Sequence, residues 1–112
     1  MSPTPVTTYR NPIIPGFNPD PSIVRVGSDY FLATSTFEYY PGVPIYHSLD
    51  LVNWMLIGHA LTRPSQLNMR TVEPGGGVWA PTLRYHNGRF YMATTAVHHL
   101  SWADVSASEY TR

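Results

Sequence analysis

The chain has 112 residues, enough for one domain of ordinary size, and 43% of them are hydrophobic, so a packed core can form. Seven arginines balance seven acidic residues, and the formal net charge of +0 excludes the strong electrostatic field that attracts nucleic acid or an anionic membrane. Cysteine is absent, which excludes disulfides and thiolate metal sites.

The N-terminal segment, residues 1–8, is predicted to be a tail. It lacks the basic stretch followed by an apolar run that marks a signal peptide, and no segment of the chain is apolar for long enough to span a bilayer. We therefore expect a soluble protein with a cytoplasmic location as the default, and neither nucleic acid nor a membrane as a partner.

Asp20 is the first candidate functional residue, because it stands between Pro19 and Pro21 in the stretch FNPDPS. Proline restricts its own backbone and that of the residue before it, so we expect extended backbone at Asp20 and no helix. Two interpretations remain open at this point. The carboxylate is either a rigidly placed general base, within hydrogen-bond reach of the water that it activates, or an ordinary turn-forming residue.

Strands are expected to dominate, because eleven prolines and eight glycines interrupt the chain and no segment keeps a helical period of apolar residues. The turn Asn87-Gly88 is the strongest short hairpin signal. Residues 59–78 are predicted to form a long loop. Three hairpins are predicted, with strands at residues 22–26 and 30–35, 44–48 and 54–58, and 82–86 and 89–95.

The first and third hairpins repeat each other when the chain is shifted by sixty residues. Pro21 then lies on Pro81, and the strand at 30–35 lies on residues 90–95. Two strands, two more strands and then the first pair again are typical of the four-stranded blades of a β-propeller. The alternative is a chance match between two aromatic hairpins of a β-sandwich.

The same shift places Asp20 on Ala80. The second copy keeps the proline but not the carboxylate, so the blade does not require an acid at this position. A carboxylate carried by one copy alone favours chemistry over architecture. Asp20 also precedes the first strand of its blade, and the first strand of a propeller blade borders the central channel where ligands bind.

Three further clusters have both structural and functional interpretations. Asp50 and Trp54, in SLDLVNW, are expected to stabilise a turn and to fill the gap between blades. Trp79 follows a glycine run in GGGVWAP, and it stacks either on a sugar ring or in the core. Phe37, in STFEYYPG, belongs either to the packing or to the mouth of a pocket.

No metal or cofactor site is predicted. His98 and His99 are adjacent, and adjacent residues of a strand point to opposite faces of its sheet. No phosphate-binding, dinucleotide-binding or zinc-hydrolase motif occurs in the sequence.

The stretches NPIIPGFNPDPSIVRVGSDYFLATSTFEYYPGVPIYHSLDLVNW and GGGVWAPTLRYHNGRFYMATT resemble the start of a glycoside hydrolase of family 43, and within it β-xylosidases and α-L-arabinofuranosidases. The likeness covers about residues 9–100. It implies an all-β, five-bladed propeller that hydrolyses glycosidic bonds of xylose- or arabinose-containing saccharides with inversion and without a cofactor. It also implies that Asp20 is the general base, and that Phe37 and Trp79 wall the pocket for the terminal sugar.

The family that this chain resembles also uses a general-acid Glu and an Asp that tunes and orients this Glu, both from later blades. None of four later acidic residues stands in the family's acid motif: Glu38, Glu73, Asp104 and Glu109. We therefore expect the first blade and part of the second, followed by a divergent tail at residues 101–112. Such a truncated chain is expected to be inactive alone and to self-associate through unpaired blade edges. A non-catalytic carbohydrate-binding fragment and a defective product are the alternatives.

Overall fold

The computed structural model describes residues 7–63 and 75–97, and every regular element in these two ranges is a β-strand, which confirms the predicted all-β class. The described part of the chain holds no helix of the length and apolarity that a membrane crossing requires. In chain order the strands are β1 (Ser22–Val26), β2 (Asp29–Ala33), β3 (Gly42–Ser48), β4 (Met55–Leu61), β5 (Gly77–His86) and β6 (Arg89–Val97).

Strands β1 to β4 form one antiparallel sheet in the order β1-β2-β3-β4. Each strand pairs with the next one along the chain, which is the meander of a propeller blade. The turn Gly27-Ser28 joins β1 to β2, and Gly27 has the positive φ of 62° that glycine adopts without a steric cost. The first two predicted hairpins are therefore confirmed, and they join into a single blade.

The predicted loop at residues 59–78 is wrong at both ends. β4 continues to Leu61, which pairs with Gly42 of β3. β5 already begins at Gly77, which pairs with Val97 of β6. Glycine disfavours strands by propensity, but here a pairing partner is present and decides the conformation. Residues 64–74 lie outside the described residues.

β5 and β6 form a second, two-stranded antiparallel sheet. The turn between them has positive φ at both residues, 48° at Asn87 and 77° at Gly88, as a type I′ hairpin requires. The third predicted hairpin is thereby confirmed. The chain contributes one complete blade and the first two strands of the next one.

A small core joins the two sheets, and its buried apolar side chains are Ala33, Val43, Val78 and Leu83. The Leu83 N–H donates a hydrogen bond to Ser22 Oγ at 3.0 Å, which ties β5 to β1. Phe31 and Phe90, one from each sheet, pack edge to face with ring centroids 4.9 Å apart. β1 and β5 are therefore neighbouring inner strands of adjacent blades.

The sixty-residue repeat is present in the strand pairing. Ser22 pairs with Ala33 in the first copy, and Thr82 pairs with Ala93 in the second. Each residue of the second pair lies sixty positions after its counterpart. A shared register of this kind favours a true structural repeat over a chance match between two hairpins.

In both copies the strand pairing is irregular just before these residue pairs. In the first copy the N–H of Ser35 donates to the Pro19 carbonyl oxygen at 3.0 Å. In the second copy Trp79 pairs with Thr95, and the register shifts between Trp79 and Thr82. Two residues therefore bulge out of each inner strand at its beginning.

The bulge overturns the expectation of extended backbone at Asp20 and Ala80. Their φ angles are positive, 52° and 25° respectively. A proline follows each residue and offers no N–H to the ladder, so these positions cannot continue regular pairing and turn out of the strand. Because both copies adopt this conformation, it belongs to the blade itself. Asp tolerates it better than most residues do, which gives Asp20 an architectural reason as well.

The turn SLDLVNW is stabilised as predicted, whereas the packing of Trp54 between blades stays a prediction. Asp50 Oδ1 accepts the backbone N–H groups of Val52 and Asn53 at 2.9 and 2.7 Å. The hydrogen bond from the Asn53 N–H is the largest of several that hold the pKa of the Asp50 carboxyl well below its usual range. Trp54 donates its indole N–H to Leu51 O at 3.0 Å and closes the turn.

Candidate active site

The three residues predicted to form the site lie at the same end of the inner strands. Asp20 is in the bulge before β1, Phe37 follows β2, and Trp79 lies near the start of β5. Residues 34–37, which leave β2, connect them. This stretch contacts the Asp20 loop through Ser35 and pairs with β5 through Phe37.

Asp20 presents an exposed carboxylate with one anchored oxygen. Its Oδ2 accepts a hydrogen bond from the Ser35 hydroxyl at 2.8 Å, and Ser35 itself is fully buried. Oδ1 accepts no hydrogen bond from any of the described residues. A carboxylate with one fixed oxygen and one open oxygen can take a proton from a water molecule placed beside it.

Asn18 fixes the loop that carries Asp20. Its side-chain amide donates to the carbonyl oxygens of Ile14 and Pro15 at 3.2 and 3.1 Å. Its Oδ1 accepts the Tyr46 hydroxyl at 2.8 Å. Burial raises the pKa of the Tyr46 hydroxyl, which therefore stays protonated as a donor. Strand β3, which carries Tyr46, thus supports the loop from within the blade.

Backbone pairing places Phe37 beside Trp79. The Phe37 N–H donates to Val78 O at 2.9 Å, and the Val78 N–H donates to Phe37 O at 2.8 Å. The rings of Phe37 and Trp79 meet edge to face with centroids 6.4 Å apart. Phe37 has a positive φ of 48°, and a bulky residue held in that region costs about 1–3 kcal/mol. Strain of this size at a predicted pocket residue supports a functional role for its position.

Two further aromatic residues extend the wall formed by Phe37 and Trp79. The ring of Phe17 lies 5.5 Å from that of Phe37 and 5.6 Å from that of Tyr39. Phe17 and Tyr39 are both exposed. Aromatic rings that support one another and face solvent offer an apolar surface to a ligand such as a sugar ring. Phe17, Phe37, Tyr39 and Trp79 are called the aromatic wall below.

A hydrogen-bond relay fixes the orientation of Trp79. Its indole N–H donates to Gly75 O at 2.9 Å, and the Gly75 N–H donates to Glu38 Oε2 at 3.1 Å. Trp79 is half-buried among the described residues, and its role in the pocket stays a prediction. Through Gly75, the Glu38 carboxylate thus helps to hold Trp79 in place.

Sequence reasoning missed Ser35, Phe17 and Gly75. The Ser35–Asp20 contact joins residues fifteen positions apart, and it depends on the bulge, for which the sequence carries no direct signal. Within residues 7–63 and 75–97, no group of three His, Asp or Glu side chains is arranged to hold a metal ion. The pair His98-His99 lies outside the described residues.

A four-stranded meander followed by a second, adjacent hairpin is typical of a β-propeller protein. Comparison with known proteins specifies which kind. Residues 9–110 match the family model of glycosyl hydrolases family 43, and the chain belongs to this family. The predicted resemblance and the predicted fold are thereby confirmed: this is the first part of a five-bladed propeller.

The relatives include proteins named as xylosidases and as arabinofuranosidases. The chain is 60% identical over 92 residues to a xylan 1,3-β-xylosidase from a Vibrio species. It is 62% identical over 89 residues to a non-reducing end α-L-arabinofuranosidase from Bacteroides ovatus. The crystal structure of a xylan β-1,4-xylosidase from Bacillus halodurans C-125 matches with a TM-score of 0.80 and 56% identity.

These matches cover most of this chain and a small part of each relative. They include 82% and 79% of this chain for the two curated relatives but 17% of each of those proteins. For the crystal structure the shares are 83% of this chain and 18% of the other. The chain therefore spans less than a fifth of the length of the proteins that it resembles.

Proposed function

We propose that this chain supplies the general base and part of the sugar pocket of an inverting glycosidase that acts on xylose- or arabinose-containing oligosaccharides. The observation that carries the proposal is the exposed Asp20 carboxylate, anchored at one oxygen by the buried Ser35. The repeat supports a chemical role, since the equivalent bulge in the second hairpin contains Ala80. The bulge thus does not need a carboxylate.

Asp20 would take a proton from water as that water attacks the anomeric carbon. Inverting hydrolysis needs a second carboxyl group, about 6.5–9.5 Å from the base, that protonates the departing oxygen. In the proposed enzyme, the family resemblance assigns this general acid and the Asp that tunes it to later blades. The aromatic wall binds the terminal sugar over the base.

The names of the relatives support both xylosides and arabinosides as substrates. To test the proposal with both substrates, residues 9–97 would replace the matching segment of the Bacillus halodurans enzyme; this hybrid is called the chimera. We expect it to release the aryl group from an aryl β-D-xyloside, an aryl α-L-arabinofuranoside or both. A chimera that melts cooperatively near the parent's Tm but hydrolyses neither substrate would contradict the proposal.

Carbohydrate binding without catalysis is the second candidate function. The specific observation that favours it is that the aromatic wall is assembled within this chain, whereas a second catalytic carboxyl group is not identified among the described residues. Calorimetry of the 112-residue chain with xylose and with xylo-oligosaccharides tests this candidate. Saturable heat without any hydrolysis would favour a binding function, and the absence of heat would remove it.

We also propose that the 112-residue chain self-associates when it is expressed alone. Among the described residues only β5 pairs with β6, so the other edge of β6 has unpaired N–H and C=O groups. Tyr91 on this strand is exposed. An open edge next to aromatic side chains is a template for pairing with another chain.

Sedimentation of the isolated chain is expected to show oligomers, and Tyr91→Lys is expected to shift them towards monomer because a charge on an edge strand opposes pairing. Ser28→Lys, in the exposed turn between β1 and β2, adds the same charge away from β6 and is the matched control. A monomeric, cooperatively melting wild-type chain would refute self-association. Equal effects of the two lysines would refute the role of the β6 edge.

A further inference from the structure

We propose that Ser35 is a positioning residue that holds the Asp20 carboxylate in the orientation needed to take a proton from the attacking water. This inference rests on the proposed function of Asp20 as the general base. Three observations carry it: the geometry of the contact, its absence from the second copy of the repeat, and the unsatisfied hydroxyl of the adjacent Thr34.

The geometry directs the Ser35 proton to the carboxylate. Ser35 Oγ lies 2.8 Å from Asp20 Oδ2 and 3.3 Å from the Pro19 carbonyl oxygen, and a hydroxyl has one proton to donate. The shorter contact is to the ionised group, and hydrogen bonds to charged acceptors are the stronger ones. The Pro19 carbonyl already accepts the Ser35 backbone N–H at 3.0 Å, so the hydroxyl is not needed to satisfy it.

The second hairpin shows how the same bulge is held where there is no carboxylate. There the carbonyl oxygen of Trp79, sixty residues after Pro19, accepts the hydroxyl of Thr94 at 2.7 Å. Thr95 is the counterpart of Ser35, and its hydroxyl makes no hydrogen bond with the described residues. The buried serine hydroxyl thus accompanies the carboxylate and is not a requirement of the bulge.

Thr34, the residue before Ser35, shows that a buried hydroxyl alone does not contact the site. Thr34 is fully buried, and its Oγ1 has no hydrogen-bond partner among the described residues. Of two adjacent buried hydroxyls, only the Ser35 hydroxyl reaches the carboxylate. Thr34 therefore provides a matched control, because Thr34→Val removes a neighbouring buried hydroxyl without changing the side-chain shape.

The hydrogen bond from Ser35 to Asp20 Oδ2 leaves Oδ1 as the oxygen that accepts the proton of the water. With Oδ2 held by Ser35, the carboxylate cannot turn about its side-chain bonds without breaking that hydrogen bond, and Oδ1 is the oxygen left to accept the water proton. A base works only within hydrogen-bond reach of its proton, and a misplacement of about 1 Å can cost about 100-fold in rate. Loss of the Ser35 hydroxyl should therefore lower kcat more than it changes KM.

The test is a double-mutant cycle in the chimera with an aryl β-D-xyloside, or with the arabinofuranoside if that is the better substrate. Ser35→Ala is expected to lower kcat about 10- to 100-fold with little change in KM. Thr34→Val is expected to leave kcat unchanged. In the Asp20→Asn background Ser35→Ala is expected to cause no further loss, because the positioned group is already gone. Ser35→Cys, of similar volume but a weak donor, is the second variant if Ser35→Ala melts early.

The outcomes separate the inference from the proposed function. If Asp20→Asn keeps the full rate, the proposed function fails and the positioning role fails with it. If Asp20→Asn is inactive but Ser35→Ala and Ser35→Cys keep kcat within twofold, the base stands and the positioning role is overturned. An equal loss from Ser35→Ala with and without the Asp20 carboxylate would likewise assign Ser35 a structural role only.

Discussion

Asp20→Asn in the chimera is expected to lower kcat by about 10²–10⁴-fold, the usual contribution of a positioned general base. Asparagine is the informative replacement for two reasons. It keeps the size of the side chain and the tolerance for the positive φ of 52° at this position, while it removes the basic oxygen. The Tm is expected to change little, because the equivalent bulge accepts Ala80.

The matched control for this prediction is Asp29→Asn in the same blade. Asp29 is a solvent-accessible aspartate whose Oδ1 contacts His47 Nε2 at 2.7 Å, at the end of β1–β2 opposite the candidate site. We expect Asp29→Asn to leave kcat unchanged. If Asp20→Asn instead markedly lowers Tm and preserves the rate, Asp20 has a structural role in the bulge and is not the base.

Trp79→Ala is expected to weaken binding of the sugar product, measured as the inhibition constant of xylose at a temperature where the variant is folded. Aromatic contacts are worth about 0.5–1.5 kcal/mol beyond their buried area, which corresponds to a rise in that constant of about 2- to 10-fold. The free energy of unfolding should fall by less than the roughly 3–5 kcal/mol typical of a fully buried tryptophan, because Trp79 is half-buried.

Trp54→Ala is the control for Trp79→Ala. Trp54 is also half-buried and also donates its indole N–H to a backbone carbonyl, that of Leu51 at 3.0 Å. Its turn lies outside the aromatic wall, so we expect a comparable loss of stability with unchanged xylose inhibition. Trp79→Ala protein that melts early yet is inhibited normally by xylose in the cold would rule out a pocket role for Trp79.

The sequence was informative where a signal is local or is repeated along the chain. Asn87-Gly88 predicts its own turn, and the sixty-residue shift identifies a second copy without any structure. The contrast between Asp20 and Ala80 in that repeat separates a candidate catalytic group from the requirements of the blade. Phe37 and Trp79 were predicted through the family resemblance, and the structure brings their rings together.

The remaining features depend on contacts between distant segments. The positive φ of Asp20 follows from a bulge, whereas the flanking prolines alone suggested extended backbone. The hydrogen bond from Ser35 exists because the stretch after β2 returns to the loop before β1. The true ends of β4 and β5 are set by pairing partners on β3 and β6, which override the local preference of glycine.

The most direct test of the proposed mechanism is proton NMR of the sugar first released by the chimera from an aryl β-D-xyloside, recorded before mutarotation. An inverting reaction with Asp20 as the base should yield α-xylose first, and Asp20→Asn should abolish this signal. β-Xylose as the first product, or α-xylose formed at the same rate by Asp20→Asn, would contradict the assignment of Asp20 as the base.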